Sequence, residues 1–223
     1  MNLLRMKKIW KKQKKDIRKI IRNCTIFVWI WEIVIICFKI AVCGTKDLNQ
    51  YVPLYYCSLL LYAGGLSSFG KGKLKRAGDV FLATGAVIGG IIFILFPSTS
   101  LPTYPIFHIV SLHSFLFHGI MIYLGILINA THYITIELQD FKYYAFLVGV
   151  VCGLAYIINN IFDSNLMFIS KNFPGTFMEI LYNVTGPFFT IVSCVGQMTL
   201  PFYIIYGIIV LIRRKNVEIQ EKG

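Results

Sequence analysis

The chain has 223 residues, of which 57% are hydrophobic and 14% are charged. A soluble domain normally carries about 25% charged residues, so this composition excludes an ordinary soluble protein and indicates a membrane protein. The formal net charge is +12, but the basic residues lie beside apolar stretches without stacking aromatic residues among them, which argues against nucleic-acid binding.

Six apolar stretches follow a basic first segment. They cover residues 26–43, 52–69, 80–96, 105–129, 143–162 and 184–212. A helix needs about 20 mostly apolar residues to cross about 30 Å of hydrocarbon, and all six stretches meet or approach this length. Because backbone groups in lipid must be satisfied internally, stretches of this length are predicted to be helices rather than barrel strands. The predicted fold is therefore an all-α polytopic membrane protein, a bundle of six transmembrane helices.

The distribution of basic residues predicts the orientation of this bundle. Ten of the 22 Lys and Arg residues precede residue 23, and others lie in residues 71–76 and 213–222. With six spans, all of these segments lie on the side of the N-terminus, whereas Lys46 and Lys171 lie on the other side. Because Lys and Arg are in excess on the cytoplasmic side of membrane proteins, we predict that both termini are cytoplasmic.

The chain divides into a basic amphipathic cytoplasmic segment (1–24), a six-helix transmembrane domain (25–212) and a basic cytoplasmic tail (213–223). In the first segment, Leu3, Met6, Trp10, Ile17 and Ile21 fall near one helical face with lysines over the rest. This pattern suits a helix that lies on a membrane surface and binds anionic lipid headgroups. The alternative is a frayed basic tail that only sets the topology. A cleavable signal peptide is not expected, because the basic part is too long and no small-residue cleavage site follows.

The six cysteines form no CxxC pair, and most of them lie inside predicted spans. A cysteine in such a place behaves as a small apolar residue, so we expect neither a disulfide framework nor a metal site. The sequence also contains no P-loop, no dinucleotide-binding glycine pattern and no HExxH motif, and we therefore predict no cofactor.

Polar side chains at membrane depth are costly, so they are the first candidates for function. Glu32 and Lys39 lie seven residues apart on one face of the first span. Glu32 is near the middle of the span and either pairs with a neighbouring helix or lines an internal cavity. Lys39 is near the outer end, and we expect it to snorkel or to pair with a neighbour.

The fourth span contains three histidines, His108, His113 and His118. Their spacing of five residues places them on different helical faces, so a shared metal-binding edge is not expected. A histidine in a membrane span often serves as a hydrogen-bonding residue between helices. Three of them within eleven residues also fit acid–base chemistry, because imidazole is the usual general base near neutral pH.

Further polar residues concentrate in the outer half of the predicted bundle. Cys57 lies about 8 Å below the outer end of the second span, at 1.5 Å per residue. Asn159 and Asn160 end the fifth span, and Asn183 lies at the entrance to the sixth. Pro187 and Pro201 are expected to kink or break the sixth span. The Gly-Pro pair at residues 186–187 is the clearest irregularity, and interruptions of this kind often line a cavity.

Several short runs stand in an order that is typical of a known family. The runs are V-P-L-Y-Y-C (52–57), H-G (118–119), N-L-M-F-I (165–169), G-P-F (186–188) and L-P-F (200–202). They resemble the L-P-L-H-L-C, histidine–glycine, N-Y-x-F-L, G-P-W-P-W and L-P-F motifs of the YwaF-type integral membrane proteins of bacteria. The resemblance covers about residues 25–212. Tyr55 stands in place of the family's histidine, and Phe188 and Thr190 stand in place of its two tryptophans.

That family is similar to a eukaryotic group of membrane proteins that includes a phospholipid O-acyltransferase. The resemblance implies that Cys57 is a nucleophile and His118 its base, moving a fatty acyl chain through a thioester. Such chemistry is reasonable, because an imidazole can generate the thiolate that attacks an ester carbonyl. If the fourth span begins at Pro105, His118 lies about 20 Å deep, and His113 matches the depth of Cys57 better. Either histidine is therefore a candidate partner of Cys57.

Three functions remain compatible with the sequence. The first is a Cys/His acyltransferase or lipid hydrolase of the bacterial cell membrane, acting on membrane lipids from the outer half of the bundle. The second is a small-solute-binding or transport protein without catalytic activity, which would borrow an ATPase from a partner. The third is an accessory protein whose polar residues only pack helices. The candidate substrate-binding residues are Glu32, Tyr55, Asn159, Asn160 and Asn183.

Overall fold

The computed structural model describes residues 3–42, 44, 47–98 and 100–222. Cys43, where the first apolar stretch was predicted to end, and Lys46, predicted to lie outside, are not among the described residues. The described part forms these α-helices: α1 (Leu3–Ala41), α2 (Leu59–Phe69), α3 (Gly72–Ala83), α4 (Gly85–Leu95), α5 (Ile109–Ala130), α6 (Phe141–Phe162), α7 (Phe177–Thr185) and α8 (Phe189–Lys222). Short 3-10 turns lie at Leu48–Gln50, Leu138–Asp140, Leu166–Phe168 and Gly186–Phe188.

The prediction of an all-α polytopic membrane fold is confirmed. Five helical segments of the described chain are long and apolar enough to cross a membrane: Lys11–Ala41, Gly72–Leu95, Ile109–Ala130, Leu138–Phe162 and Phe177–Lys215. The remaining predicted span is represented by α2, an apolar helix of 11 residues. This span is short because its first residues are not helical. Pro53 lacks an N–H donor and also disfavours a helical conformation of the residue before it.

The basic residues gather at one end of the bundle. The Arg18 guanidinium on α1 donates to the carbonyl oxygens of Ser68 and Gly70, where α2 ends. Arg213 near the end of α8 donates to the carbonyl of Ile136 in the α5–α6 connection. The start of the first span, the α2–α3 turn, the α5–α6 connection and the end of the last span are therefore neighbours. An even number of crossings produces this arrangement, and the predicted cytoplasmic side is this basic end.

Buried ion pairs hold the same end together. Asp79 of α3 is paired with Lys75 and accepts a hydrogen bond from Ser67 of α2. Arg76 is paired with Asp140, which is 3% exposed, through both of its carboxylate oxygens. A bidentate pair of this kind fixes geometry as well as charge. The Ser67 hydrogen bond ties α3 to α2, and the Arg76–Asp140 pair ties α3 to the turn before α6.

Helix α1 runs without interruption through the predicted boundary at residue 24. Its 39 residues span about 58 Å, roughly twice the thickness of the hydrocarbon layer. Ile17 and Ile21 are buried against the core, whereas Lys11, Lys15 and Lys19 are exposed. The basic segment is therefore the first half of one long helix, and residues 11–21 of it are amphipathic.

The predicted interruption of the sixth span is found at the Gly-Pro pair, whereas α8 continues through Pro201 without a break. Helix α7 ends at Thr185, a 3-10 turn covers residues 186–188, and α8 begins at Phe189. Gly186 has φ +52° and ψ −122°, a conformation that glycine adopts without the steric cost of a Cβ atom. The long crossing helix is therefore α8, and α7 is a separate outer helix.

Candidate active site

A cavity of about 430 Å³ with both polar and aromatic side chains in its lining lies at the end of the bundle opposite the basic end. Its walls come from α1, from the first half of α5 and from residues in 47–58, 98, 103–104 and 165–173. Cys57, Tyr55, Glu32, His113 and His118 all line it. The cavity thus brings together the predicted nucleophile, both candidate histidines and two of the predicted substrate-binding residues.

Cys57 lies in the non-helical segment that precedes α2. Its carbonyl accepts a hydrogen bond from the Leu60 N–H at 3.0 Å, which begins the first turn of α2, and its side chain is half-buried. Two residues earlier, the Tyr55 hydroxyl donates to the carbonyl of Asn49 at 2.8 Å, and its ring lies 4.9 Å from that of Phe168. Because this segment is not helical, Tyr55 and Cys57 both reach the same cavity.

His118 is held in one orientation on α5. Its Nδ1 lies 2.6 Å from the carbonyl oxygen of Ser114. A carbonyl can only accept, so Nδ1 carries the proton, and in the neutral ring the lone pair is on Nε2. The ring stacks on Phe93 of α4 with a centroid separation of 3.7 Å. The described residues provide no hydrogen-bond partner for Nε2, which leaves this atom available to accept a proton.

Glu32 and His113 form a pair between α1 and α5. Glu32 Oε2 lies 3.0 Å from His113 Nε2, and the side chains are 20% and 9% exposed. The Nδ1 atom of His113 is buried and has no hydrogen-bond partner in the described part of the chain. Both expectations for Glu32 hold, since this carboxylate pairs with a neighbouring helix and also lines the cavity.

Lys39 and His108, the other two polar residues predicted in the spans, each make a hydrogen bond to the backbone. Lys39 lines the cavity too, and its Nζ donates to the carbonyl of Gln50 at 2.9 Å. His108 does not line the cavity but caps the start of α5, accepting a hydrogen bond at Nδ1 from the Val110 N–H. The third histidine therefore has a structural contact of its own.

The helix that carries His118 begins four residues later than Pro105, the start that the sequence analysis assumed. Residues 105–108 form a turn, and α5 begins at Ile109. At 1.5 Å per residue, His118 lies about 14 Å along the helix and His113 about 6 Å. The two histidines point to different faces, as the spacing predicted, but the cavity extends around α5 and reaches both.

The three asparagines predicted to bind substrate do not line the cavity. Asn159 is buried and uses all of its side-chain polar atoms within the protein, in hydrogen bonds to Leu166, Ser164 and Ser170. Asn160 is exposed and donates to the Tyr156 carbonyl, and Asn183 is exposed on α7. Asn159 therefore organises the loop after α6.

That loop contributes cavity residues that the sequence analysis did not identify. Asn165 and Phe168 line the cavity, while Leu166, Met167 and Ile169 are buried in the core. Met167 and Phe168 have φ of +58° and +54°, a backbone conformation that costs about 1–3 kcal/mol for a non-glycine residue and often occurs at functional sites. The sequence signal that could have identified this loop is the apolar run at residues 166–169, which stands in a connection between two spans.

The cavity holds the components of nucleophilic chemistry. Cys57 supplies a thiol, His118 an imidazole with an available lone pair, and the Glu32–His113 pair a carboxylate supported by an N–H donor. Acyl transfer through a thioester requires at least a nucleophile and a base, and this cavity is lined by a candidate for each.

Comparisons with known proteins agree with the membrane fold. A family model described as the TMEM164 family matches residues 2–207, a range that includes every residue of the cavity. No curated protein matches the chain, and no solved structure matches it. The match covers more than nine-tenths of the sequence, and the chain therefore belongs to the TMEM164 family of multi-pass membrane proteins.

Proposed function

We propose that this protein is a Cys/His acyltransferase or lipid hydrolase of the bacterial cell membrane. It acts on membrane lipids from the outer half of the bundle. The observation that carries the proposal is the presence of Cys57 and His118 in one cavity, where His118 Nε2 has no hydrogen-bond partner among the residues that the structure describes. Tyr55 and Glu32 are the proposed substrate-contacting residues from the same lining.

The first half-reaction uses Cys57 and His118. His118 Nε2 takes the proton from the Cys57 thiol, and the thiolate attacks the carbonyl carbon of a lipid ester. The ester C–O bond then breaks, and the leaving alkoxide takes the proton from His118. The products are an acyl thioester on Cys57 and a lysolipid. The Ser114 carbonyl, which accepts the Nδ1–H, keeps the ring oriented and favours the transient imidazolium.

The second half-reaction returns the enzyme to its starting state. A hydroxyl group attacks the thioester carbonyl and loses its proton, the C–S bond breaks, and that proton ends on the Cys57 thiolate. Water as the acceptor makes the protein a hydrolase, and a lysolipid hydroxyl makes it an acyltransferase. The resemblance to the YwaF-type family, and through it to a phospholipid O-acyltransferase, supports the lipid substrate. The basic face of α1 is proposed to bind anionic headgroups of the inner leaflet.

The test compares two cysteine variants of the full-length protein. Wild type, Cys57→Ala and Cys37→Ala are reconstituted in vesicles of phosphatidylethanolamine and phosphatidylglycerol, and fatty acid and lysolipid are measured by mass spectrometry. Cys37 is exposed on α1 and does not line the cavity, so its variant controls for the loss of a thiol. We expect Cys57→Ala to lose turnover and Cys37→Ala to retain it. Lipid turnover by a folded Cys57→Ala protein would refute the proposal.

A second candidate function rests on the charge of the cavity lining. Glu32, Lys39 and Asp47 all line the cavity, and such a set suits a small polar solute as well as a lipid headgroup. The alternative is a solute-binding or transport protein that borrows an ATPase from a partner. Thermal stabilisation by a small polar solute, with none by phospholipid or fatty acid, would favour it over the enzyme.

A further inference from the structure

The Glu32–His113 pair has no part in the first half-reaction described above. It nevertheless lines the same cavity as Cys57, at a point where α1 and α5 approach each other. A carboxylate at membrane depth is costly to keep. Its partner, His113, is buried, and one of its ring nitrogens has no hydrogen-bond partner within the described part of the chain, which adds to that cost.

The geometry fixes which atom of His113 faces Glu32. His113 Nε2 makes the 3.0 Å contact to Glu32 Oε2, and Nδ1 has no hydrogen-bond partner among the described residues. A carboxylate oxygen can only accept, so Nε2 carries a proton and donates it in this hydrogen bond. The Glu32 carboxylate is therefore held at the cavity wall by an N–H donor of His113.

A carboxylate held in this way can act as a base towards a bound hydroxyl. The side chain of Glu32 keeps 20% of its surface exposed where it lines the cavity, so an acceptor molecule can reach it. Glu32 is poorly suited to the first half-reaction, because its negative charge repels the thiolate that Cys57 forms in the same cavity. Once the sulfur is acylated and neutral, this repulsion is absent.

We propose that Glu32 is the general base of the second half-reaction and that His113 is its positioning residue. This inference rests on the proposed acyl-transfer function. Glu32 takes the proton of the attacking hydroxyl as its oxygen bonds to the thioester carbonyl carbon. The C–S bond breaks, and the proton held by the pair passes to the Cys57 thiolate. One proton is taken and one is returned, so the pair and Cys57 both end in their starting states.

The experiment separates the two half-reactions with a chromogenic ester, p-nitrophenyl octanoate. The full-length protein in vesicles releases p-nitrophenolate in a burst as the thioester forms, followed by a steady rate that reports deacylation. Intact-protein mass spectrometry measures the octanoyl adduct. The variants are Glu32→Gln, His113→Leu and His113→Gln, and Cys57→Ala gives the background. Glu179→Gln is the matched control. Glu179 lies on the outer helix α7, accepts a hydrogen bond from the Gly175 N–H and does not line the cavity.

We expect Glu32→Gln to retain the burst and to slow the steady rate by about 10² or more, the usual contribution of a general base. The octanoyl adduct should accumulate in this variant. His113→Leu should behave similarly, and His113→Gln, which keeps an N–H donor near the Nε2 position, should recover much of the steady rate. Glu179→Gln should match wild type.

Two results would overturn the inference in different ways. If Glu32→Gln lowered the burst and the steady rate equally, or neither of them, the assignment to the second half-reaction would be wrong while the acyl-transfer function stood. If wild type formed no adduct that depends on Cys57, the proposed function would fall and this inference with it. Recovery of the steady rate in His113→Gln would show that a substitution at residue 113 does not by itself misfold the site.

Discussion

The loop after α6 depends on one buried amide, and its removal should destabilise the protein strongly. The Asn159 side chain accepts hydrogen bonds from the Leu166 N–H and the Ser164 hydroxyl, and donates to the Leu166 carbonyl and the Ser170 hydroxyl. Asn159→Ala removes all four. Leu166 is fully buried, so its N–H and C=O groups lose their partners away from water. Each unsatisfied buried group costs about 1–3 kcal/mol, which gives about 2–6 kcal/mol in total.

The adjacent residue provides a matched control. Asn160 is exposed and makes one local hydrogen bond, to the carbonyl of Tyr156, so Asn160→Ala should change the free energy of unfolding by no more than about 0.5 kcal/mol. The measurement is reversible unfolding of the full-length protein from mild detergent into dodecyl sulfate, followed by tryptophan fluorescence. Limited proteolysis of the loop in the folded state reports the local effect.

Equal stabilities of the two alanine variants would refute this account of the loop. It would mean that the four hydrogen bonds contribute nothing beyond what water or lipid headgroups supply at this position. A normal free energy of unfolding with loss of substrate binding in Asn159→Ala would instead restore Asn159 as a ligand-contacting residue, as the sequence analysis predicted.

The remaining predictions concern the packing of α3 and α4. Arg76→Gln should lower the free energy of unfolding by about 3–5 kcal/mol, because it leaves the carboxylate of Asp140 buried without its partner. The control is Arg22→Gln at an exposed position, which should change the free energy of unfolding by less than about 0.5 kcal/mol in the same dodecyl sulfate unfolding measurement. Similar values for the two variants would contradict the role of the ion pair. Gly85→Ala should cost about 1–3 kcal/mol through overpacking, because a Cβ atom there would lie 2.5 Å from the Tyr56 hydroxyl and 2.8 Å from two aromatic rings. Gly153→Ala, with nothing within 4 Å of the new atom, should be neutral or stabilising, and a loss as large as that of Gly85→Ala would contradict the packing argument.

The strained loop links stability to the proposed chemistry. Met167 and Phe168 both have left-handed backbone conformations, and Phe168 forms part of the cavity wall beside Tyr55. Such a conformation persists only when surrounding contacts hold it. Here the contacts include the Asn159 amide and the hydrogen bond from the Met167 N–H to the Leu54 carbonyl. The wall of the cavity is thus built on the same segment that carries Cys57.

The membrane fold could be predicted from the sequence because its causes are local. The cost of placing a polar backbone in lipid forces long apolar runs into helices, and each run can be recognised from its own residues without knowledge of the others. The interruption at residues 186–187 could be predicted for the same reason, since glycine widens and proline narrows the range of backbone conformations at their own positions. The helix predicted for the second span was too long, because hydropathy counts residues 52–58 as part of the span although they are not helical.

The candidate site could be predicted only in part. Glu32, Cys57, His113 and His118 were identified because polar residues are rare in apolar spans. Their meeting in one cavity, and the pairing of Glu32 with His113, depend on how the helices are arranged around the bundle and on how each is rotated. Asn159 shows the converse, because an amide at the end of a span can face a ligand or its own loop, and only the packed structure chooses between them. Sequence alone determined which residues are too polar for lipid, and the tertiary structure decided which partners satisfy them.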